Sequence, residues 1–121
     1  MMPSESTLLL HARELIQQGW AQHTDARTAD GRAIQPWSPH AVAWSLLGAL
    51  VAALEAETAE NEPLAVGQLA LACVALAAVI QHDSLESWND DPTRTLDDVL
   101  HALERAEAHA AGTPSTPNPW N

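Results

Sequence analysis

The stretch at residues 64–80 limits what this chain can fold into more than any other. It reads Leu-Ala-Val-Gly-Gln-Leu-Ala-Leu-Ala-Cys-Val-Ala-Leu-Ala-Ala-Val-Ile, and Gln68 is its only clearly polar side chain. A helix apolar on nearly every face must be surrounded, by protein or by lipid. A membrane span takes roughly 20 apolar residues, and this run lies at the short end of that range. Its flanks are acidic, with Glu57, Glu60 and Glu62 before it and Asp83 and Glu86 after it, and neither Lys nor Arg anchors either end. Ala65, Gly67, Ala70, Ala72, Ala75, Ala77 and Ala78 are small enough to let neighbouring helices approach closely. The run therefore reads as the centre of a protein core. The alternative is a membrane hairpin whose second arm, 42–54, is shorter still.

At 121 residues the chain is long enough for one domain with a real core. Phe and Tyr are absent and the aromatic residues are five Trp, which, with abundant Ala and Leu, points to helix rather than strand. The formal charge is −11, and it is uneven. Residues 1–40 set Glu5, Glu14, Asp25 and Asp30 against Arg13, Arg27 and Arg32, whereas all the remaining acids face only Arg94 and Arg105. Such a surface repels nucleic acid and anionic lipid and attracts a basic partner. Cys73 is the only cysteine, so no disulfide forms within the chain, and its place in the apolar run reads as inert packing. The first residues carry no positive n-region, and Leu8-Leu9-Leu10 is too short for a signal core, so a cytoplasmic protein is expected.

A first helix is expected to start at a Ser4 or Ser6 cap and run to about Gln18, with Leu8, Ala12, Leu15 and Ile16 on one face. Gly19 is placed to end it in a left-handed conformation, and Trp20 to fold back on the helix end. The 20–37 segment lacks helical periodicity. Asp30-Gly31 is a turn signal, flanked by short extended pieces at 26–29 and 32–35, so the segment is a small hairpin or an irregular loop. Ser38-Pro39 predicts the start of a second helix, reaching about Glu57 or Ala59, with Val42, Leu46, Leu50, Val51 and Leu54 inward and Gly48 allowing a close neighbour. Pro63 opens the central helix, 64–81. The 84–94 connection has room for one helical turn. Thr95-Leu-Asp-Asp98 resembles a capping box, with Asp in place of the usual Glu, and heads a last helix carrying Leu96, Val99, Leu100, Leu103 and Ala106 and stopped by Gly112. The expected fold is all-α: a compact antiparallel four-helix bundle, residues 1–112, around the nearly all-apolar helix. Residues 113–121, with Pro114, Pro117, Pro119 and the lone Trp120, are expected to be a disordered tail.

Few residues offer chemistry. Asp97, His101 and Glu104 share a helix face at i, i+4 and i+7, but one helix supplies too few ligands for a metal and the alternative is a solvated face. No Ser sits in a nucleophile elbow. Asp90-Asp91 is either an acid/base pair or, as Asn-Asp-Asp-Pro suggests, a turn. No catalytic residue, metal or cofactor is assigned. Trp88, Asn89, Asp90 and Arg94 combine a flat apolar face, an amide and both charge signs, a mixture suited to a small polar ligand or a partner's hot spot, or else to a plugged bundle end.

Several pieces carry a resemblance: Gly19-Trp20-x-Gln22, Ala26-Arg27, Asp30-Gly31-Arg32, Ser45-Leu-x-Gly48-Ala49-Leu50, and Trp88-Asn89-Asp90-x-Pro92-x-Arg94-Thr95-x-x-x-Val99. Over residues 8–106 the chain resembles a family of small, uncharacterised bacterial and phage-borne proteins, a domain of unknown function. Members often show Gly where this chain has Thr93. The resemblance implies a compact helical fold and makes segments 20–32 and 88–95 the family's distinctive surface; it supplies no activity.

Arg and Trp concentrate in these two irregular segments. That points to a non-enzymatic binding protein in which Trp20, Arg27, Arg32, Trp88, Asn89, Asp90 and Arg94 line one site for a small anionic ligand or a partner's loop. The alternative is an acidic inhibitor of the phage or mobile-element kind that mimics nucleic acid and binds a basic protein. A third reading, a metal-free hydrolase or lyase using Asp90 and a histidine, has no nucleophile–base pair to name. A homodimer through an exposed Trp or Ala-rich face is compatible with each.

Overall fold

The first helix, α1 (Glu5–Gln18), follows from its apolar spacing. Leu8, Leu9, Ala12 and Ile16 are fully buried, and they turn α1 toward everything else in the protein. The computed structural model describes residues 5–57, 62–82 and 84–110. After α1 come β1 (Ala26–Arg27), β2 (Ala43–Trp44), α2 (Leu46–Glu57), α3 (Glu62–Ile80), α4 (Leu85–Asn89) and α5 (Leu96–Ala110). The chain is thus mostly helical, with a two-stranded sheet. α1 already includes Glu5, so Ser6 lies within the helix and does not cap it. The alternative cap Ser4, the side chains of the 60–63 connection, the stop at Gly112 and the tail with Trp120 lie outside the described residues.

The second helix starts later than the sequence suggests, at Leu46 rather than Ser38. Two backbone neighbours compete for the intervening residues and win. On one side Trp44 N–H donates to Gly19 O (3.0 Å) and Ala21 N–H to Trp44 O (2.9 Å). On the other, Val42 N–H donates to Arg27 O (2.9 Å) and Ser45 N–H to Asp25 O (3.0 Å). β1 and β2 pair antiparallel, Ala26 opposite Trp44 and Arg27 opposite Ala43. Ser38-Pro39 makes a turn instead, closed by Ala41 N–H on Ser38 O (3.1 Å), because proline suits the second place of a turn as well as the first of a helix. Val42, expected inward, is consequently exposed. The cap of α2 is Ser45, whose Oγ accepts from Gly48 N–H at 3.0 Å.

The hairpin around Asp30-Gly31 forms as the turn signal indicates. Thr28 N–H bonds Arg32 O (2.9 Å), Ile34 N–H bonds Ala26 O (3.0 Å), and Gly31 sits at φ 84°. Gly19 does not have the positive φ its position suggested. It is glycine for room, since a Cβ there would lie 2.3 Å from Val42 O. Gly48 does allow a close neighbour: the carbonyl of Asp25, 1.9 Å from where a Cβ would be.

α3 is not the wrapped centre. Ala72, Ala75 and Leu76 are buried toward α1, α2 and α5, but Leu71 is 48% and Val74 65% exposed on the opposite side. α1 holds the central place instead, touching α2, α3, α5 and β2. Arg13 of α1 forks onto Glu107 of α5, with Nη2 to Oε1 at 3.1 Å. α3 ends at Gln81, whose φ of 54° lets His82 N–H reach back to Ala77 O (3.3 Å). Among the described residues no helix is long and apolar enough to cross a membrane.

Thr95 and Asp98 complete a reciprocal capping box at the start of α5, Thr95 N–H to Asp98 Oδ2 (3.0 Å) and Asp98 N–H to Thr95 Oγ1 (3.1 Å). Val99, Ala102, Leu103 and Ala106 form its buried stripe. Cys73 is half-buried, and burial pushes its thiol above the ordinary range.

Candidate functional site

The two irregular segments meet, and Asn89 joins them. It is the last residue of α4 and only 1% exposed. Its Oδ1 accepts from the indole N–H of Trp20 (2.8 Å) and from the backbone N–H of Leu46 (3.1 Å). Its Nδ2 donates to Ala21 O (3.0 Å) and Asp90 Oδ1 (3.0 Å). An asparagine amide has two acceptor and two donor places, and here all four are filled. The Leu46 contact also satisfies a free N–H at the start of α2, which Ser45 alone leaves open.

Around Asn89 the joint is largely made of backbone. Gln22 Nε2 donates to Asn89 O (3.0 Å) and Asp91 O (2.9 Å). His23 N–H donates to Asp90 Oδ1 (2.8 Å), with His23 at φ 67°, a conformation that side chains other than glycine adopt only when their surroundings hold them. Asp91 closes the following turn: its Oδ1 accepts from Thr93 N–H (2.8 Å) and Thr93 Oγ1 (2.7 Å). These bonds, first the Thr93 hydroxyl, hold the Asp91 carboxyl below its ordinary range. The Asp90-Asp91 pair is therefore engaged as turn chemistry, each carboxylate taken up by backbone or a neighbouring side chain.

The arginines separate. Arg27 donates to Gly31 O (2.8 Å) and Gln22 O (3.1 Å), tying the hairpin to the joint. Arg32 lies at the hairpin's far end, bonded to Asp30 (2.9 Å) and open to solvent. Thr28 Oγ1 donates to the same Asp30, and this bond is the first cause of a lowered Asp30 carboxyl. Arg94 stacks over the Trp88 ring at 4.0 Å, donates Nε to Trp88 O (2.9 Å) and stands 3.7 Å from Asp91 Oδ2. Of the residues singled out from sequence, then, Trp20, Asn89 and Asp90 share one internal joint, and Arg27 reaches it through Gln22. Trp88 and Arg94 form a pair of their own, and Arg32 is apart from both.

Trp88 and Arg94 open onto a groove of about 410 Å³. Its walls are the end of α3, with Val79 and Ile80, and one face of α5, with Asp98, His101, Ala102 and Arg105. Arg105 is exposed and has no ion pair among the described residues, unlike Arg13, Arg32 and Arg94. Arg105 is not marked by residue type in the sequence. Its signal was there in the spacing Asp98, His101, Ala102, Arg105, which is one helix face, adjacent to the Asp97–His101–Glu104 face that drew attention for its ligand types. A second, smaller cavity of about 340 Å³ lies beside the joint, between His23, Asp25, Glu86 and Asp90. Among the described residues no group of three or more His, Cys, Asp or Glu is arranged to hold a metal ion.

The model of a family of unknown function, DUF6197, matches residues 2–109 of the chain. No curated protein and no solved structure matches the chain.

Proposed function

We propose that this chain, which belongs to the DUF6197 family, is a non-enzymatic binding protein whose ligand or partner loop seats in the groove beside Trp88 and Arg94. The supporting observation is the meeting of two guanidiniums with an apolar wall. Arg94, whose guanidinium lies over the Trp88 ring, and Arg105, without an ion pair among the described residues, line the same groove as Val79 and Ile80. A planar guanidinium already oriented on an indole loses little freedom when it binds an anion. Its volume falls within the range of small-molecule sites, roughly 300–1,000 Å³. Trp20, Asn89, Asp90 and Arg27 serve this groove indirectly, because the Asn89 joint fixes the position of α4 and so of Trp88, whereas Arg32 lies apart.

Thermal denaturation of the intact chain against a library of metabolites and nucleotides tests the proposal. A ligand that binds the folded state raises the midpoint by mass action, and Arg105→Gln removes that rise. A library without a single stabilising anion, together with no change on Arg105→Gln in any captured complex, would falsify it.

The rival is an acidic decoy for a basic protein, to which Asp97, Asp98 and Glu104, exposed along α5, lend their charge. The two differ in salt response. A decoy complex dissociates steeply between low and physiological salt, whereas a groove-centred one persists.

A further inference from the structure

We propose that the groove beside Trp88 selects small monocarboxylates carrying an apolar arm, the carboxylate lying between Arg94 and Arg105 and the arm against Val79 and Ile80. This rests on the reading of the groove as a ligand seat and names the ligand's chemistry.

Charge decides how many negative groups the seat accepts. Arg94 stands 3.7 Å from Asp91 Oδ2, so its charge is already partly answered. Asp98 faces the groove, its Oδ2 occupied by Thr95 N–H. Two guanidiniums are therefore accompanied by two carboxylates, on a chain whose formal charge is −11. A polyphosphate brings more negative charge than the two arginines answer and presses it toward Asp98. A single carboxylate does not, and its two oxygens match the paired N–H groups of a guanidinium.

Shape decides the rest. Arg94 has given Nε to Trp88 O and one face of its guanidinium to the indole, which leaves the edge of its two Nη groups for a ligand, with Nη2 3.7 Å from Asp91 Oδ2. Arg105 lies one turn beyond His101 on the same face of α5. Past these cations the wall is the end of α3, which offers the apolar side chains of Val79 and Ile80 beside the amide of Gln81. A compact ion such as phosphate leaves that wall wet, whereas an alkyl or aryl arm covers it and gains from leaving water. The site thus requires both halves of the ligand.

Nuclear magnetic resonance titration of the whole chain tests this, with hexanoate and phenylacetate as probes, hexanol and benzyl alcohol as their uncharged counterparts, and inorganic phosphate as the compact anion. The indole N–H of Trp88 is the reporter, and that of Trp20, already bonded to Asn89, is the internal control. Both carboxylates should move the Trp88 signal and leave Trp20 in place, binding about tenfold more tightly than the alcohols, as expected for one charge-assisted contact. Arg105→Gln should remove about that factor with the remaining spectrum unchanged, since Arg105 is exposed and unpaired among the described residues. Phosphate binding as tightly as hexanoate would overturn the monocarboxylate class and leave the anion seat standing. Alcohols equal to carboxylates, or an Arg105→Gln chain that binds hexanoate undiminished, would overturn the role of the guanidiniums. Silence of Trp88 toward every probe would overturn seat and class together.

Discussion

The indole N–H of Trp20 donates to Asn89 Oδ1 at 2.8 Å, across 69 positions of sequence. That bond belongs to a set of four on one buried amide, linking the end of α1, the start of α2 and the end of α4. Polar groups concentrated in irregular segments can serve a ligand or serve one another. Here Trp20 and Asn89 serve one another, and the amide is shut from solvent. The neighbouring residue of α4, Trp88, instead lines an open groove, with Arg94 over its ring.

Asn89 should accordingly be the least replaceable polar residue of the described chain. Asn89→Ala leaves the Trp20 N–H, the Leu46 N–H and the Ala21 carbonyl without their partner in a buried place, a loss of about 3 kcal/mol or more. Trp20→Phe removes one bond and keeps the ring, so it should cost only about 1 kcal/mol. Urea unfolding followed by circular dichroism measures both. Equal losses from the two variants would contradict the shared-amide account.

Two glycines of the helices should respond oppositely to the same change. At Gly48 an added methyl would lie 1.9 Å from Asp25 O and 2.8 Å from its carbonyl carbon, backbone that cannot swing aside. Gly48→Ala should destabilise by about 2–3 kcal/mol, in the range of an overpacked core. Gly67 has nothing within 4 Å of its added carbon, so Gly67→Ala should stabilise by about 0.5–1 kcal/mol through helix propensity alone. Paired thermal midpoints, one falling and one rising, are the check.

Amphipathic elements were legible in the sequence and the sidedness of apolar ones was not. α1 and α5 carry their apolar residues on one stripe, and Ile16, Val99 and Leu103 are buried as that stripe requires. α3 is apolar all round, so nothing in its pattern says that Leu76 faces in and Val74 out. The start of α2 was misplaced for another reason. Ser38-Pro39 and Ser45 both offer a hydroxyl cap, and the choice between them is made by Gly19, Asp25 and Arg27, whose carbonyls hold 42–45 extended. Local propensity cannot see these distant backbone partners. The same limit applies to the site. The types Trp, Asn, Asp and Arg marked the segments that meet, but only long-range geometry divides them into an internal joint and an open groove.

Acid should loosen the 91–94 turn in a direction that Asp91 sets. Its carboxyl is held below the ordinary value of 3.8, first by the Thr93 hydroxyl and then by the Thr93 N–H. A depressed native value means that the unfolded chain binds the proton more readily, so the stabilisation is present above 3.8 and is lost as pH falls through the lower native value. Asp91→Asn should therefore lower stability at neutral pH and flatten its acid dependence in that window. Unfolding midpoints for wild type and variant should converge as the pH drops; parallel curves would dissociate Asp91 from the effect.

Arg94 offers a test of geometry against charge. Its ion pair with Asp91 is long, 3.7 Å, and partly solvated, so simple attraction contributes little. Its other two contacts need a planar fork: Nε to the Trp88 carbonyl at 2.9 Å, and the guanidinium face over the ring at 4.0 Å. A lysine keeps the charge and has neither an Nε–H in that place nor a flat face to stack. If shape is what matters, Arg94→Lys should lose about 1–2 kcal/mol, the sum of a bond to a charged donor and a partly buried cation–π contact. Arg94→Gln, which discards the charge, should lose about the same, within roughly 0.5 kcal/mol of the lysine variant. Were charge the important property, lysine would recover most of the loss and glutamine none. The Trp88 indole resonance follows the same comparison independently, because a ring without its guanidinium cover shifts in both variants alike.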